Sequence, residues 1–482
     1  MKILLYCLAA LGVAILALLA VIILRTLRFK PHDDIKASDT EEKVDANAIT
    51  SALQTLVRFK TVSYRDPALE DDGEFEGMIA SLPTLFPNVY KTCSLTRLPD
   101  RALLYHWKGK SADEPAVLMA HYDVVPVNAE AWEKPPFEAI LEDGVLWGRG
   151  TLDTKVTFSS ILYAANTLIE EGFVPEHDVY FAFSGGEEVN GKGAVNIVDY
   201  FEEHHITPGM VLDEGGAVVE NVFPGVSAPC GMIGIAEKGM IDVCYKTKSA
   251  GGHASAPKPH TPVGVLSSAC VKIESKPFPS HLSIPVAKMF DTLGRHSNFL
   301  YRMIFANLWC FSPVLDMICK KSGGELNALM RTTVAFTQMS GSAASNVIPP
   351  EATMVSNIRL NPHDSVNSAL EYLHYVVDDE NVEISAIHGM EPSRISRTDC
   401  AGWEKVATAV ASTWRGTIVS PYLMVQCSDS RHWDRISDRI YRFSAMDLTS
   451  EERATIHGNN ERIRVDCLCR AAEFYLRLMR MC

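Results

Sequence analysis

The 482-residue chain has no excess of base: 45 lysines and arginines stand against 59 acids, a formal net charge of −14. With no basic stripe to offset this, a nucleic acid is not the expected partner. None of the 12 cysteines forms a CxxC pair, Cys467 and Cys469 being the nearest. Such dispersion reads as mostly buried thiols and leaves the redox compartment open. No internal repeat or long low-complexity tract is present. The composition, 47% hydrophobic and 22% charged, is that of an ordinary globular protein. The length predicts two or three domains.

The N-terminus departs from this pattern. Ile3 to Leu24 is an unbroken run of 22 apolar residues. As a helix it spans roughly the 30 Å hydrocarbon core. No small-x-small cleavage site follows. Residues 1–30 are therefore expected to form an uncleaved single-pass membrane anchor, the alternative being a cleaved signal. Arg25, Arg28 and Lys30 outnumber Lys2, which favours a cytoplasmic body. Signal-anchored hydrolases often face the other way, so the side stays open.

Residues 31–45 (PHDDIKASDTEEKVD) read as a linker. Helical spacing follows over 46–60. The runs Ala116–Ala120, Val179–Phe183 and Met210–Leu212 predict buried strands, with a helix over 157–171 between the first two. Alternating strands and helices imply an α/β fold, its sheet mainly parallel and covered on both faces. Near 240 the pattern changes. Strand 240–248, helix 262–275, strands 330–339 and 353–360, helix 366–377 and strand 382–387 give β-α-β-β-α-β, the ferredoxin-like order. An aromatic- and Pro-containing insertion, 276–328, interrupts it. The expected organisation is a catalytic domain built from two stretches of chain, 46–238 and 392–482, with an α+β domain inserted between them at 239–391.

Polar residues punctuate the apolar runs. His121-Tyr122-Asp123 follows the first, Glu187-Glu188 the second and Asp213 the third. Asp153 sits in GRGTLDTK, before the 157–171 helix, and His457 in IHGNNER. These positions fall just past strand ends or on strand–helix connections, where open α/β sheets bind ligands. So many carboxylates on one sheet edge require a cation. Two histidines make the mixed N/O set suited to Zn²⁺. The surplus of ligands over one ion's needs suggests two ions roughly 3.5–4 Å apart. In the adjacent Glu187-Glu188 pair, one residue is expected to ligate while the other moves protons.

HYDVVP, GRGTLDTK, GGEEVNG, GGHASAP, NVIPPEA, SNIRLNP and IHGNNERI resemble the motifs of the dinuclear-zinc exopeptidases that include aminoacylase, carnosinase and glutamate carboxypeptidase. YRFSAM and SDSRHW look most like the carboxypeptidase S branch, which includes the enzyme making and cleaving N-fatty-acyl amino acids. The resemblance implies two Zn²⁺ per subunit. Asp153 would bridge them, His121 and Asp213 would hold one, and Glu188 and His457 the other. Glu187 would be the general base. Asp123 would accept from the distal nitrogen of His121 and fix its tautomer. In the inserted domain, a lid and dimerisation unit in relatives, His253 would stabilise the oxyanion. Asn346 and Arg359 would bind the substrate carboxylate. In dimeric relatives the residue matching His253 reaches the partner's site, so a homodimer is possible here.

Thr154, Ser184-Gly185-Gly186 and Gln426-Cys427 depart from commoner residues of the family and bear on pocket shape. The expected function is zinc-dependent hydrolysis of an amide bond next to a free carboxylate. The enzyme would be a carboxypeptidase or N-acyl-amino acid hydrolase, acting on a small peptide or an N-acyl amino acid. The alternatives are a dipeptidase or aminoacylase of the same family, or a non-catalytic membrane-tethered binding protein on this fold.

Overall fold

The computed structural model describes residues 2–32, 35–221 and 223–482. Met1 of the expected anchor, Asp33 and Asp34 of the expected linker, and Val222 lie outside the described residues. The chain opens with helix α1 (Lys2–Arg28), of which only Ile22 and Thr26 are buried. Helix α2 (Ala46–Arg58) starts where the Asp45 carboxylate accepts from the backbone N–H groups of Asn47 and Ala48. The segment before it is bound to the body rather than free. Ser38 N–H donates to Ser412 Oγ at 2.8 Å, Asp45 N–H donates to Tyr163 at 2.8 Å, and Glu42 pairs with Arg480 at 2.9 Å.

Strands β1 (Ser94–Leu98), β2 (Ala102–Trp107) and β3 (Ser111–His121) lead to helix α3 (Lys155–Glu170). Then follow β4 (His177–Ser184), β5 (Met210–Val219) and β6 (Cys230–Glu237). Next come β7 (Gly239–Lys248), the short β8 (Gly252–His253), α4 (Pro262–Ser275) and four helices: α5 (Ile284–His296), α6 (Phe299–Ala306), α7 (Leu308–Ser322) and α8 (Gly324–Met330). The chain continues through β9 (Thr333–Ser340), β10 (Val347–Ile348), β11 (Glu351–Leu360), α9 (Val366–Val377) and β12 (Glu383–Met390). It closes with β13 (Ile418–Met424), β14 (Ile440–Asp447) and α10 (Val465–Arg480).

Eight strands form one mixed sheet in the order β1-β2-β4-β3-β5-β14-β6-β13. Its central pairs, β4–β3, β3–β5 and β5–β14, are parallel. Their residues are buried on both faces, as a sheet covered by helices requires. Helices α2, α3 and α10 share one large apolar core with it. The parallel strands point their carboxyl ends to the same edge, and the candidate site lies there.

The second sheet has the order β9-β11-β7-β12 and is antiparallel throughout. β7 and β11 alternate buried and half-buried residues because helices α4 and α9 cover only one face. This is the ferredoxin-like order read from the sequence. The insertion within it behaves otherwise. Helix α5 packs on β13 of the large sheet, and Met289, Phe290 and Leu293 join a core with Val219, Met232 and Leu423. Within the stretch expected as one inserted unit, 239–391, residues of 284–330 pack on the large sheet.

Candidate metal centre and its cleft

β3 ends in His121, a buried imidazole. Its Nε2 lies 2.9 Å from Asp153 Oδ1 and 3.4 Å from Glu214 Oε1. Its Nδ1 lies 3.0 Å from the main-chain carbonyl of Asp123 and 3.4 Å from that residue's Oδ1. The Asp123 backbone carbonyl and, farther off, its carboxylate both face this nitrogen of the ring. The carboxylate also accepts from Ser63 Oγ at 2.7 Å, from Glu187 N–H at 3.1 Å and from Glu188 N–H at 3.2 Å.

The doublet follows β4 after Ser184-Gly185-Gly186. A Cβ at Gly185 would sit 2.7 Å from the Tyr122 ring, so only glycine lets the chain pass. Asp153 lies in the loop before α3, and its peptide bond to Thr154 is cis. That loop is gripped by Glu461, which the sequence reading passed over. The fully buried Glu461 carboxylate accepts from the N–H groups of Gly150, Leu152 and Asp153 and pairs with Arg149 at 2.5 Å. Arg149 also donates to the Gly458 carbonyl. Glu461 stands four residues after His457, and its charge within IHGNNER was the available signal.

His457 Nε2 lies 3.0 Å from Asp153 Oδ2 and 3.0 Å from Glu188 Oε2. The two oxygens of Asp153 thus face two different imidazoles. Among the described residues, two sets could hold a metal ion: His121, Asp153 and Glu188, and His121, Glu187 and Glu214.

Asp213 is expected from the sequence to hold a metal ion beside His121. β5 does not end at Leu212, and Asp213 lies within the strand. Its carboxylate accepts from Ser430 N–H at 2.9 Å, and its neighbour Glu214 faces His121. The cause is a bulge. Asp213 pairs with Arg442 of β14, but the next partner, Phe443, meets Gly216, so Glu214 and Gly215 are extra residues. Gly215 has φ +147°, and a Cβ there would meet Arg442 and Met424 at 2.7 Å. The bulge therefore needs this glycine.

The electrostatics follow from burial. Burial opposes a charged His121, but Glu214, Asp123 and Asp153 overcome it and raise its pKa well above the ordinary value. Hydrogen bonds to Asp153 and Glu188 lift His457 to about 10. Burial opposes ionisation of Asp153, yet its two imidazole partners hold it below the carboxylate range. Burial raises Glu187 far above that range and Glu214 to about 8. Asp429, hydrogen-bonded by Ser184 Oγ at 2.6 Å, is raised to about 7 by burial.

Such a cage carries more carboxylate than two imidazoles can balance, and divalent cations fit it. Ligands about 2.0–2.1 Å from a tetrahedral zinc lie about 3.3 Å from each other. The 2.9–3.4 Å separations found here approach that spacing.

A cleft of about 740 Å³ opens beside the doublet. Tyr64, Arg101, Gly185 and Asn190 line it from the large sheet's side, Met240 and Met390 from the small sheet's side. Arg359, on β11, donates to Asn357 Oδ1 and to Cys427 Sγ at 3.4 Å, bridging the two units beside the SDSRHW segment. His253 and Asn346 do not join the cluster. His253 lies exposed on β8, paired with Val347, and its ring meets Ser255. The Asn346 carbonyl accepts from Ala254 N–H.

Residues 117–481 match the model of peptidase family M20/M25/M40, and the chain belongs to that family. It is 33% identical to a probable carboxypeptidase S-like protein of Dictyostelium discoideum, over 97% of this chain and 92% of that one. It is also 33% identical to an N-fatty-acyl-amino acid synthase/hydrolase of Xenopus tropicalis, over 98% and 94%. Among solved structures, an M20 family metallo-carboxypeptidase from Sulfolobus solfataricus shares the fold. The TM-score is 0.65 at 16% identity, covering 90% of this chain and 98% of that one.

Proposed function

We propose that this chain is a dinuclear zinc hydrolase of amide bonds adjacent to a free carboxylate, with N-acyl amino acids or C-terminal peptide bonds as substrates. The observation that carries this is Asp153, whose two oxygens each meet a different histidine at 2.9 and 3.0 Å. A carboxylate so placed would hold two metal ions. His121 and Glu214 would complete one metal position, Glu188 and His457 the other. Metal ions bound there supply Lewis acidity, acidifying a water and polarising the amide carbonyl.

Glu187 is assigned the proton transfers. Among the described residues its carboxylate makes no hydrogen bond, whereas Glu188 meets His457. The ionised Glu187 carboxylate would accept the water's proton and return it to the leaving amine nitrogen. Arg359 reads the substrate carboxylate through its planar donor fork. His253 and Asn346 stand outside the cluster and serve the oxyanion and carboxylate from a second copy of the chain. Mixing His253→Ala with Glu187→Gln protein tests that arrangement, because only a shared site regains activity on mixing.

An apolar acyl group has a place in this reading. A second pocket of about 110 Å³ lies beside the bulge, between Gly215–Gly216 and Met289, Leu293, Leu329 and Tyr422. The decisive experiment is metal analysis combined with hydrolysis of N-acyl amino acids and dipeptides. About two zinc ions per chain, and turnover lost on chelation and regained with zinc, are expected. Metal bound without turnover of any carboxylate-bearing amide favours the binding-protein alternative.

A further inference from the structure

Helices α6 and α7 meet at a bend of 111°. Their outer surface is apolar and uncovered. Leu300 is 60% exposed, Trp309 57%, Met317 62% and Ile318 51%, with Phe299 and Val314 beside them. Isolated apolar side chains on a surface need no explanation, but a contiguous set marks an interaction site. The charge pattern sets this segment apart from an otherwise acidic chain. Residues 299–321 contain one acid, Asp316, which is paired with Lys320 and Arg331. Arg302, Lys320 and Lys321 are the bases.

The partner is indicated by what the bend touches. Asn307, fully buried at the bend, donates to the Ile22 carbonyl at 3.2 Å and to Thr26 Oγ1 at 3.3 Å. Arg25 Nε donates to the Ala306 carbonyl at 3.2 Å. Arg295 donates to the Lys30 carbonyl and stacks over Phe29. Ile22 and Thr26 straddle Leu24, the end of the apolar run of α1. If that run lies in hydrocarbon, the bend lies at the boundary between acyl chains and headgroups. The exposed face of α6 and α7 is then at lipid depth, and Arg28, Lys30 and Lys321 are cationic residues placed to meet anionic headgroups.

We infer that α6 and α7 form a second membrane-binding element, an interfacial wedge that seats the catalytic body on the bilayer beside α1. α7, at 15 residues, is about 22 Å long and does not cross a 30 Å core. The bend keeps backbone groups satisfied, because the Asn307 carbonyl accepts from Cys310 and Phe311 N–H while its own N–H donates to Ile304. The wedge is continuous with α5 and the edge strand β13, so the catalytic sheet has a fixed pose over the membrane.

The test uses the full chain in phosphatidylcholine–phosphatidylserine vesicles, photolabelled with a small lipid-phase diazirine and mapped by mass spectrometry. Peptides covering 299–321 should be labelled at least tenfold more than Val271 and Tyr375, which are equally exposed on the ferredoxin-like unit. The variant Trp309→Glu/Met317→Glu/Ile318→Glu should lose that labelling while hydrolysing a water-soluble substrate normally. Labelling of 299–321 in a chain that has lost α1 upholds the wedge without the anchor. Labelling of α1 with 299–321 at the Val271 level overturns it and leaves the anchor standing. Cross-links joining 299–321 of two copies, with no lipid label there, overturn it in favour of a dimer face.

Discussion

The Asp123 carboxylate holds the main chain of Glu187, accepting its N–H at 3.1 Å while also accepting that of Glu188 at 3.2 Å. One buried side chain thus sets the direction of both members of the doublet, and its own backbone carbonyl orients His121. Asp123→Asn replaces an acceptor oxygen with an amide that cannot satisfy two N–H donors and Ser63 together. Turnover should fall about 10–100-fold, the usual effect of losing a residue that orients metal ligands. Main-chain amide shifts at Glu187 and Glu188, followed by NMR, should move. A rate loss with those shifts unchanged would assign Asp123 a direct chemical role instead.

The doublet should fail in two ways. Glu187→Gln is expected to keep its metal and lose about 10²–10⁴ in turnover. Glu188→Gln should lose metal, because an amide oxygen ligates zinc more weakly than a carboxylate. Added zinc should restore some of the second variant's rate and none of the first. Metal content and turnover measured on both decide the matter, and the opposite pattern exchanges the roles.

A parallel comparison separates Asp213 from Glu214. The bulge in β5 places Glu214 at His121 and leaves Asp213 on Ser430. Glu214→Gln should therefore lower metal occupancy, while Asp213→Asn should keep it and lose stability instead. Titration with a zinc-sensitive dye reads the first effect and thermal unfolding the second. Metal loss confined to Asp213→Asn would return the ligand to the position read from sequence.

Glu461 should matter to folding before chemistry. It and Arg149 are both buried, and removing one charge strands the other. Glu461→Gln should destabilise by about 3–5 kcal/mol, the cost of breaking such a pair. The Asp153 loop should loosen with it and metal affinity fall. Denaturant unfolding of the metal-free protein isolates the stability effect, and an unchanged midpoint would show that the pair is not structural.

Arg359→Ala should weaken substrates bearing a free carboxylate far more than their amidated analogues. Loss of one charge-assisted contact corresponds to about 1.5–3 kcal/mol. The ratio of kcat/KM for the two substrate types is the measurement. Equal losses would place Arg359 in the junction with Cys427 alone.

Much of this molecule was legible in its chain. Apolar runs of strand length, ending in His121, before Glu187-Glu188 and near Asp213, identified the parallel strands and the edge carrying the chemistry. The alternation of β7 and β11 and the helical spacing of α4 and α9 identified a sheet covered on one face. These are local periodicities, and one residue type after another states them. What tertiary structure alone decided depends on pairing between distant segments. Whether Asp213 or Glu214 faces the histidine turns on two extra residues in β5 against β14, more than 200 residues away. Glu461 acts on Asp153 across 308 residues, through backbone N–H groups that carry no sequence signal. The stretch 276–328 read only as an insertion, and which sheet its helices cover depends on the partner surface, which periodicity does not name. Sequence determined which strand ends carry the chemistry, because burial patterns are local. Only the fold decided which atom faces which, because register, bulges and long-range hydrogen bonds are properties of two segments together.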